Sequence, residues 1–131
     1  MNMRHFFSNN ASRAAIVFLP VILFLIACDP GSCITFKIAN ESNGVVDVTY
    51  FEYDSNKVTQ IRIPKRTEQI LFQQCFLGYV DRFENQDSVD LSYHVRIWKD
   101  SVLLGTNLND KQSWDYIRTN KSEANLTLRI K

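Results

Sequence analysis

Three cysteines are the side chains with the most reactive chemistry in this chain of 131 residues. Cys28 directly follows Leu25-Ile26-Ala27, so a sulfur nucleophile stands after a small residue at the end of an apolar run. Apart from Cys28, the chain has an even pair of cysteines, Cys33 and Cys75. A disulfide between them would close a loop of about 43 residues and would stabilise the folded state by ~4 kcal/mol. Two free, buried thiols are the alternative for this pair.

One segment places a histidine and a serine two residues apart, at Ser92 and His94. In a strand these side chains point the same way, about 6.6 Å apart, and no glycine-framed nucleophile turn accompanies them. We therefore predict no enzyme activity, no catalytic residue and no cofactor. The polar face of this segment is instead predicted as a possible partner surface, formed by Asp90, Ser92, His94, Arg96 and Trp98.

Two clusters of charged residues lie between predicted strands, one acidic and one basic. The acidic loop contains Asp81, Glu84, Asp87 and Asp90. We expect these residues to form an acidic surface, and the alternative is a calcium site that includes Asn85. The missing glycine turn and the interposed Phe83 argue against calcium, so no metal is predicted. The basic turn contains Arg62, Lys65 and Arg66, which we expect to be solvated, with contact to lipid headgroups as the alternative.

Five aromatic side chains offer flat surfaces for stacking: Tyr53, Tyr79, Trp98, Trp114 and Tyr116. Such rings stack on sugars or anchor a protein partner when they are exposed. In two-layer β-proteins they more often fill the core or cover a sheet edge, and that is the expectation for most of them.

The N-terminal segment has the layout of a secretory signal. Residues 1–13 hold Arg4, His5 and Arg13 without an acidic residue, and Ala14–Ala27 is an unbroken apolar run of 14 residues. A helix of that length covers only ~21 Å of a hydrocarbon core about 30 Å thick, and Pro20 interrupts it. A cleaved signal peptide is therefore predicted over 1–27, with a retained membrane anchor as the alternative.

The residues Leu25-Ile26-Ala27-Cys28 resemble the lipobox of bacterial lipoproteins. Together with a small domain rich in alternating strands, they make the chain similar to the many small, uncharacterised members of that group. The resemblance implies that Cys28 receives a diacylglycerol, that the Ala27–Cys28 bond is cut, and that the new amine carries a further acyl chain such as palmitate. It also implies a place in the bacterial cell envelope, on the inner or outer membrane, facing the periplasm or the surface.

The composition limits the number of domains and the kinds of partner that the rest of the chain can have. The chain has 15 basic and 14 acidic residues, a net charge of +1 and 45% hydrophobic residues, which fits one ordinary domain. This balance lacks the basic excess typical of nucleic-acid binding, so no nucleic-acid partner is predicted. The predicted organisation is a signal peptide over 1–27, a lipidated Cys28 with a short tether over 28–32, and one domain over 33–131.

That domain has the period-two pattern of strands. Apolar and polar residues alternate over 34–39, 46–51, 58–63, 89–99 and 125–130, with a fourth strand of unclear phase over 68–76 and a short one over 102–104. Residues 107–119 show no alternation and are expected to form a loop or one helical turn. About seven strands, each with one apolar face, predict an all-β, two-layer antiparallel sandwich, immunoglobulin-like or transthyretin-like, with a small barrel as the alternative.

These observations predict a membrane-anchored envelope lipoprotein whose sandwich is a non-catalytic binding module. The expected partners are the membrane, through the lipid on Cys28, and an unidentified protein or glycan. Alternatives are an inhibitor of an envelope or host hydrolase and, less favoured, a hydrolytic enzyme.

Overall fold

The computed structural model describes residues 31–131, and the predicted signal peptide, Cys28 and the residues before Gly31 lie outside this range. Its elements are β1 (Gly31–Asn40), β2 (Val46–Glu52), β3 (Val58–Ile63), β4 (Thr67–Leu77), α1 (Asp81–Glu84), β5 (Tyr93–Lys99), β6 (Val102–Leu103), a 3₁₀ turn (Lys111–Ser113), β7 (Asp115–Arg118) and β8 (Glu123–Ile130). Among the described residues no apolar helix reaches the length that crosses a bilayer.

Eight strands form two sheets of four. The first sheet has the order β4-β1-β8-β7 and the second has the order β3-β2-β5-β6. All pairs are antiparallel except β1 with β8, which run parallel from Cys33↔Glu123 to Asn40↔Ile130. Because β1 and β2 lie in different sheets, the order is not that of an immunoglobulin constant domain, where the first two strands share a sheet.

The apolar faces of the two sheets meet in a single core. Ile34, Phe36 and Ile38 of β1 are 3%, 1% and 0% exposed, and they belong to the same buried cluster as Val46 and Val48 of β2. An aromatic contact joins the layers, because the Phe72 ring of β4 stacks on the Tyr93 ring of β5 with centroids 4.1 Å apart. The Tyr50 hydroxyl donates across the same interface to the Leu71 carbonyl at 2.7 Å. The predicted two-layer sandwich is confirmed, and the sheets do not close into a barrel.

Strand β4 contains a bulge that explains its unclear pattern in the sequence. The register passes from Phe36↔Phe72 to Lys37↔Ile70, so Leu71 is an extra residue on β4. Leu71 and Phe72 are both buried although they are adjacent. A bulge shifts the alternation by one residue, so period two fails when it is read through this point.

Three sequence-based boundaries were wrong. Strand β5 begins at Tyr93 rather than Val89, because the amide of Val89 donates to Asn109 at 2.8 Å and that of Ser92 to the Gln74 side chain at 3.2 Å. Residues 115–118 form the strand β7, which was expected to be loop or helix. Strand β1 begins at Gly31, so Gly31 and the fully buried Ser32 belong to the sheet rather than to the tether.

A disulfide joins Cys33 of β1 to Cys75 of β4, as predicted. The two residues are direct partners in the ladder, with Cα atoms 4.1 Å apart. The Cys33 amide donates to the Ser122 carbonyl on the opposite side of β1, so the pair occupies a non-hydrogen-bonded site of the β1–β4 ladder, where side chains approach most closely. The bridge staples the edge strand β4 to the centre of the first sheet.

Candidate functional site: surfaces of the two sheets

The predicted partner surface is divided by the fold. His94, Arg96 and Trp98 alternate on β5 and point away from the core, since Ile97 between them is buried. Asp90 and Ser92 precede the strand instead. Asp90 lines a separate cleft at the open end of the sandwich. Only the β5 half of the predicted set therefore lies on the outer face of the second sheet.

Strand register brings further residues of β2 and β3 onto this outer face. Asp47 is paired with Trp98 on one side and with Arg62 on the other, and Trp98 is paired with Leu103 of β6. The next row of the ladder contains Gln60, Thr49 and Arg96, and the row after that contains Val58, Phe51 and His94. Sequence alternation places these residues outward in each strand, but the pairing of rows is a property of the tertiary structure.

A shallow groove crosses the first two of these rows. It has a volume of about 580 Å³, and we call it the outer groove; its outward-facing residues are Asp47, Thr49, Gln60, Arg62, Trp98 and Ser101. The Arg62 Nε donates to Asp47 Oδ1 at 2.8 Å, and the partnership with Asp47 raises the pKa of the guanidinium above its usual value. The half-buried Trp98 ring thus lies in the same row of the sheet as an ion pair on the outer face.

An aromatic cluster occupies the third row. The His94 ring lies against Phe51 and Tyr53, with centroids 4.8 and 3.8 Å away. Tyr53 is 59% exposed. Within residues 31–131 no hydrogen bond joins His94 to Ser92, and Ser92 precedes strand β5, on which His94 lies.

A second concavity, the end cleft, lies between strands β1 and β4 of the first sheet and the 83–90 segment, and it has a volume of about 230 Å³. Its apolar lining is Ile34, Phe36, Phe76, Leu77 and Phe83, and its polar lining is Gln74, Gln86 and Asp90. The side-chain amide of Gln74 donates to the Asp90 carbonyl at 2.9 Å and accepts from the Ser92 amide at 3.2 Å. That amide is therefore occupied by backbone groups and holds the 90–92 segment on β4.

The acidic loop is bound by residues of β7 and the preceding turn. Arg118 lies 3.3 Å from Glu84 and 3.8 Å from Asp81, while the Lys111 ammonium donates to the carbonyls of Phe83 and Glu84. Lys111 thus satisfies the orphan carbonyls of the short helix α1. In the part of the chain that the structure describes, no three His, Cys, Asp or Glu side chains converge as metal ligands.

The remaining aromatic residues of the sequence analysis differ in role. Trp114 is core, with its ring edge-on to Phe36 and its Nε1 donating to the Leu108 carbonyl at 2.9 Å. Tyr116 is bonded to Glu84 at 3.3 Å, and burial, followed by the charge and hydrogen bond of Glu84, raises its pKa above the usual value. Tyr53, Trp98 and Tyr79 are the members available to a partner.

The basic turn lies at the opposite end of β1 from the predicted tether. Thr67, next to Arg66, is the register partner of Asn40, the last residue of β1, whereas the predicted tether precedes the first residue, Gly31. Nine residues of strand separate these ends, or about 30 Å. Lipid contact by Lys65 and Arg66 is therefore not supported.

The outer groove and the turn Leu77–Val80, which lies next to Gly31 through the pairing of Gly31 with Leu77, are the features that sequence reasoning missed. The alternation that places Asp47 and Thr49 outward could have predicted the part of the groove that β2 forms. The parts formed by β3 and β5 depend on the register between strands, which the alternation does not give. No protein-family model, curated protein or solved structure matches this chain.

Proposed function

We propose that this chain is a lipid-anchored protein of the bacterial cell envelope, held by Cys28, whose sandwich binds a glycan without catalysis. The observation that carries the binding proposal is the outer groove, in which the Trp98 ring lies beside the Asp47–Arg62 pair. The anchor rests on the lipobox-like residues 25–28 and on export, which the Cys33–Cys75 disulfide supports because structural disulfides persist in oxidising compartments.

A sugar ring fits the chemistry of the outer groove. Its C–H face is apolar and stacks on an aromatic ring, while its hydroxyls both donate and accept hydrogen bonds. Asp47, Arg62 and Gln60 provide a carboxylate, a guanidinium and an amide in one shallow surface. Few convergent polar groups around an apolar platform are typical of small-ligand sites.

A protein partner is the second candidate, and a different observation favours it. Phe51, Tyr53 and His94 form an uncovered aromatic cluster, and aromatic residues dominate the binding energy of many protein interfaces. An inhibitor of an envelope or host hydrolase would use such a cluster. The two candidates predict different sensitive residues, Trp98 for a glycan and Tyr53 for a protein.

The test is binding of the mature, detergent-solubilised lipoprotein to purified cell-wall glycan, by co-sedimentation, and to soluble N-acetylglucosamine oligomers, by calorimetry. Trp98→Ala is expected to weaken binding at least tenfold, about 1.4 kcal/mol. Trp98→Phe should retain part of the affinity, because the stacking surface is reduced but kept. Ile117→Ala is the matched control, since Ile117 is 57% exposed but lies on the other sheet.

Two results would contradict the glycan proposal: no binding of the wild-type protein to any glycan tested, or binding that Trp98→Ala leaves unchanged. Cross-linking of the wild-type protein to one envelope protein, lost in Tyr53→Ala and kept in Trp98→Ala, would establish the protein-binding alternative instead.

A further inference from the structure

We propose that the turn Leu77–Val80, with Lys121 beside it, docks onto the bilayer that holds Cys28, so that the domain stands on the membrane in one orientation. This inference rests on the proposed lipid anchor. It adds a second membrane contact made by the folded domain itself and commits to a lipid surface as the occupant of this patch.

Exposure is the first observation. Leu77 and Tyr79 are 68% and 47% exposed, and Leu77 has the largest exposed fraction among the large hydrophobic residues of the described chain. They flank Gly78 in one short turn. An aliphatic side chain and a tyrosine suit the membrane interface, where the first enters the acyl boundary and the second keeps its hydroxyl at the headgroups.

The turn is held rigidly although its side chains are exposed. Gly78 has a φ of 105°, a conformation that favours glycine. The Ser32 hydroxyl donates to the Gly78 carbonyl, and the Val80 amide donates to the Lys121 carbonyl at 3.2 Å. Val80 itself is 0% exposed, and its burial in the core holds the end of the turn in place. Leu77 and Tyr79 are therefore presented outward by a fixed backbone.

Chain connectivity places this turn next to the proposed lipid. Gly31 is the register partner of Leu77, and Cys28 precedes Gly31 by three residues. Three extended residues reach about 10 Å, which is comparable to the depth at which interfacial side chains lie. A lipid on Cys28 would therefore keep this turn within reach of the bilayer that holds the lipid.

One basic side chain, Lys121, lies beside the turn and can meet the phosphates of an anionic lipid surface. Lys121 is exposed and bonded through its carbonyl to the turn. The nearby carboxylates Asp81 and Glu84 are paired with Arg118, which reduces their repulsion of lipid phosphates. A basic residue near such a surface is attracted to the lipid phosphates.

Docking at this turn has a consequence for the outer groove. Asp47 follows Val46, whose partner Ile63 accepts a hydrogen bond from Asn40 at the far end of β1. The Trp98 end of the second sheet therefore lies away from the Leu77 turn. A domain docked in this way presents the outer groove away from the membrane, towards the surrounding glycan.

The test uses the mature lipoprotein in nanodiscs that contain brominated and anionic lipids. In a Trp98→Phe background, where Trp114 remains buried, Tyr79→Trp reports at the turn. Val102→Trp is the matched control, because Val102 is 65% exposed and its partner Lys99 pairs with Val46 at the far end. We expect bromine to quench the Tyr79→Trp emission at least twofold and to leave the Val102→Trp emission unchanged.

Intact mass of the same samples separates the two proposals. Lipid on Cys28 with an unquenched Tyr79→Trp signal, or with equal quenching at both positions, overturns the docking inference and leaves the anchor standing. A chain without lipid on Cys28 overturns the anchor and the docking inference together. Leu77→Gln with Tyr79→Gln, which alters only exposed side chains, should abolish the flotation of delipidated protein with anionic vesicles if docking is correct.

Discussion

The buried amide of Asn40 joins three segments at the far end of the sandwich. Its Nδ2 donates to the carbonyls of Gly44 and Ile63 at 2.9 and 3.0 Å, and its Oδ1 accepts from the amide and hydroxyl of Ser42. Asn40 is 1% exposed and its partners Ser42 and Ile63 are buried, so the polar groups of these two residues cannot turn to water when the amide is removed. The side chain therefore fixes the passage from β1 to β2.

Asn40→Ala is expected to destabilise the domain by about 2–4 kcal/mol, because several buried polar groups lose their partner at once. Urea unfolding measures the change. Asn43→Ala is the control, since Asn43 is exposed in the same turn and should change stability by less than about 0.5 kcal/mol. Equal stability of the two variants would show that the Asn40 network contributes little.

Tyr116 makes stability depend on pH in the alkaline range. Burial and Glu84 raise its pKa in the folded state, so the unfolded chain releases this proton at lower pH than the folded one. The stabilisation is present below pH 10 and is lost as the pH rises through the folded pKa. Tyr116→Phe should flatten the fall in unfolding free energy above pH 10, and an unchanged slope would contradict this assignment.

At the scale of elements, strand β4 depends on the Cys33–Cys75 bridge. It is an edge strand interrupted by a bulge, and the bridge ties it to β1 across a sequence separation of 42 residues. Opening the bridge increases the conformational entropy of the unfolded chain, and this lowers the free energy of unfolding by ~4 kcal/mol.

Cys33→Ser with Cys75→Ser should lower the unfolding free energy by about 3–4 kcal/mol. Both residues face outward, so the change leaves no cavity in the core. Reduction of the wild-type protein should reproduce the loss, and reduction of the double variant is the control that should change nothing. Unfolding midpoints that do not move would show that the bridge is energetically neutral.

Period two predicted the strands that follow one face without interruption, including β3 at its observed bounds and β2 to within one residue. The period-two pattern failed where a bulge or a loop contact determines the backbone conformation. The bulge at Leu71 shifted the phase of β4, and Val89 and Leu91 alternate and are buried although they precede the strand. Strand β7 was missed because it is only four residues long and its apolar Ile117 faces outward, leaving no alternation to read.

The candidate site was predictable only where chemistry is local. The even number of cysteines beside Cys28 predicted the Cys33–Cys75 bridge, and alternation on β5 predicted the outward set His94, Arg96 and Trp98. The outer groove needs Arg62, Asp47 and Trp98 in one row, and that row exists only through pairing across three strands. No local pattern encodes such a row.

At the scale of the whole molecule, the two ends of the sandwich carry different surfaces. The turn with Leu77 and Tyr79 lies beside Gly31, and the outer groove lies towards the opposite end. The proposed anchor on Cys28 would make this difference functional, since it would decide which end faces lipid and which end is free for a partner. Without the anchor, the proposed orientation has no cause.

The most direct measurement is the intact mass of the mature protein purified from membranes, with and without reductant. We predict the mass of residues 28–131 plus a diacylglycerol and one amide-linked acyl chain, with a gain of two hydrogens when Cys33–Cys75 is reduced. A mass equal to the complete chain with an unmodified Cys28 would contradict the lipid anchor and the function built on it.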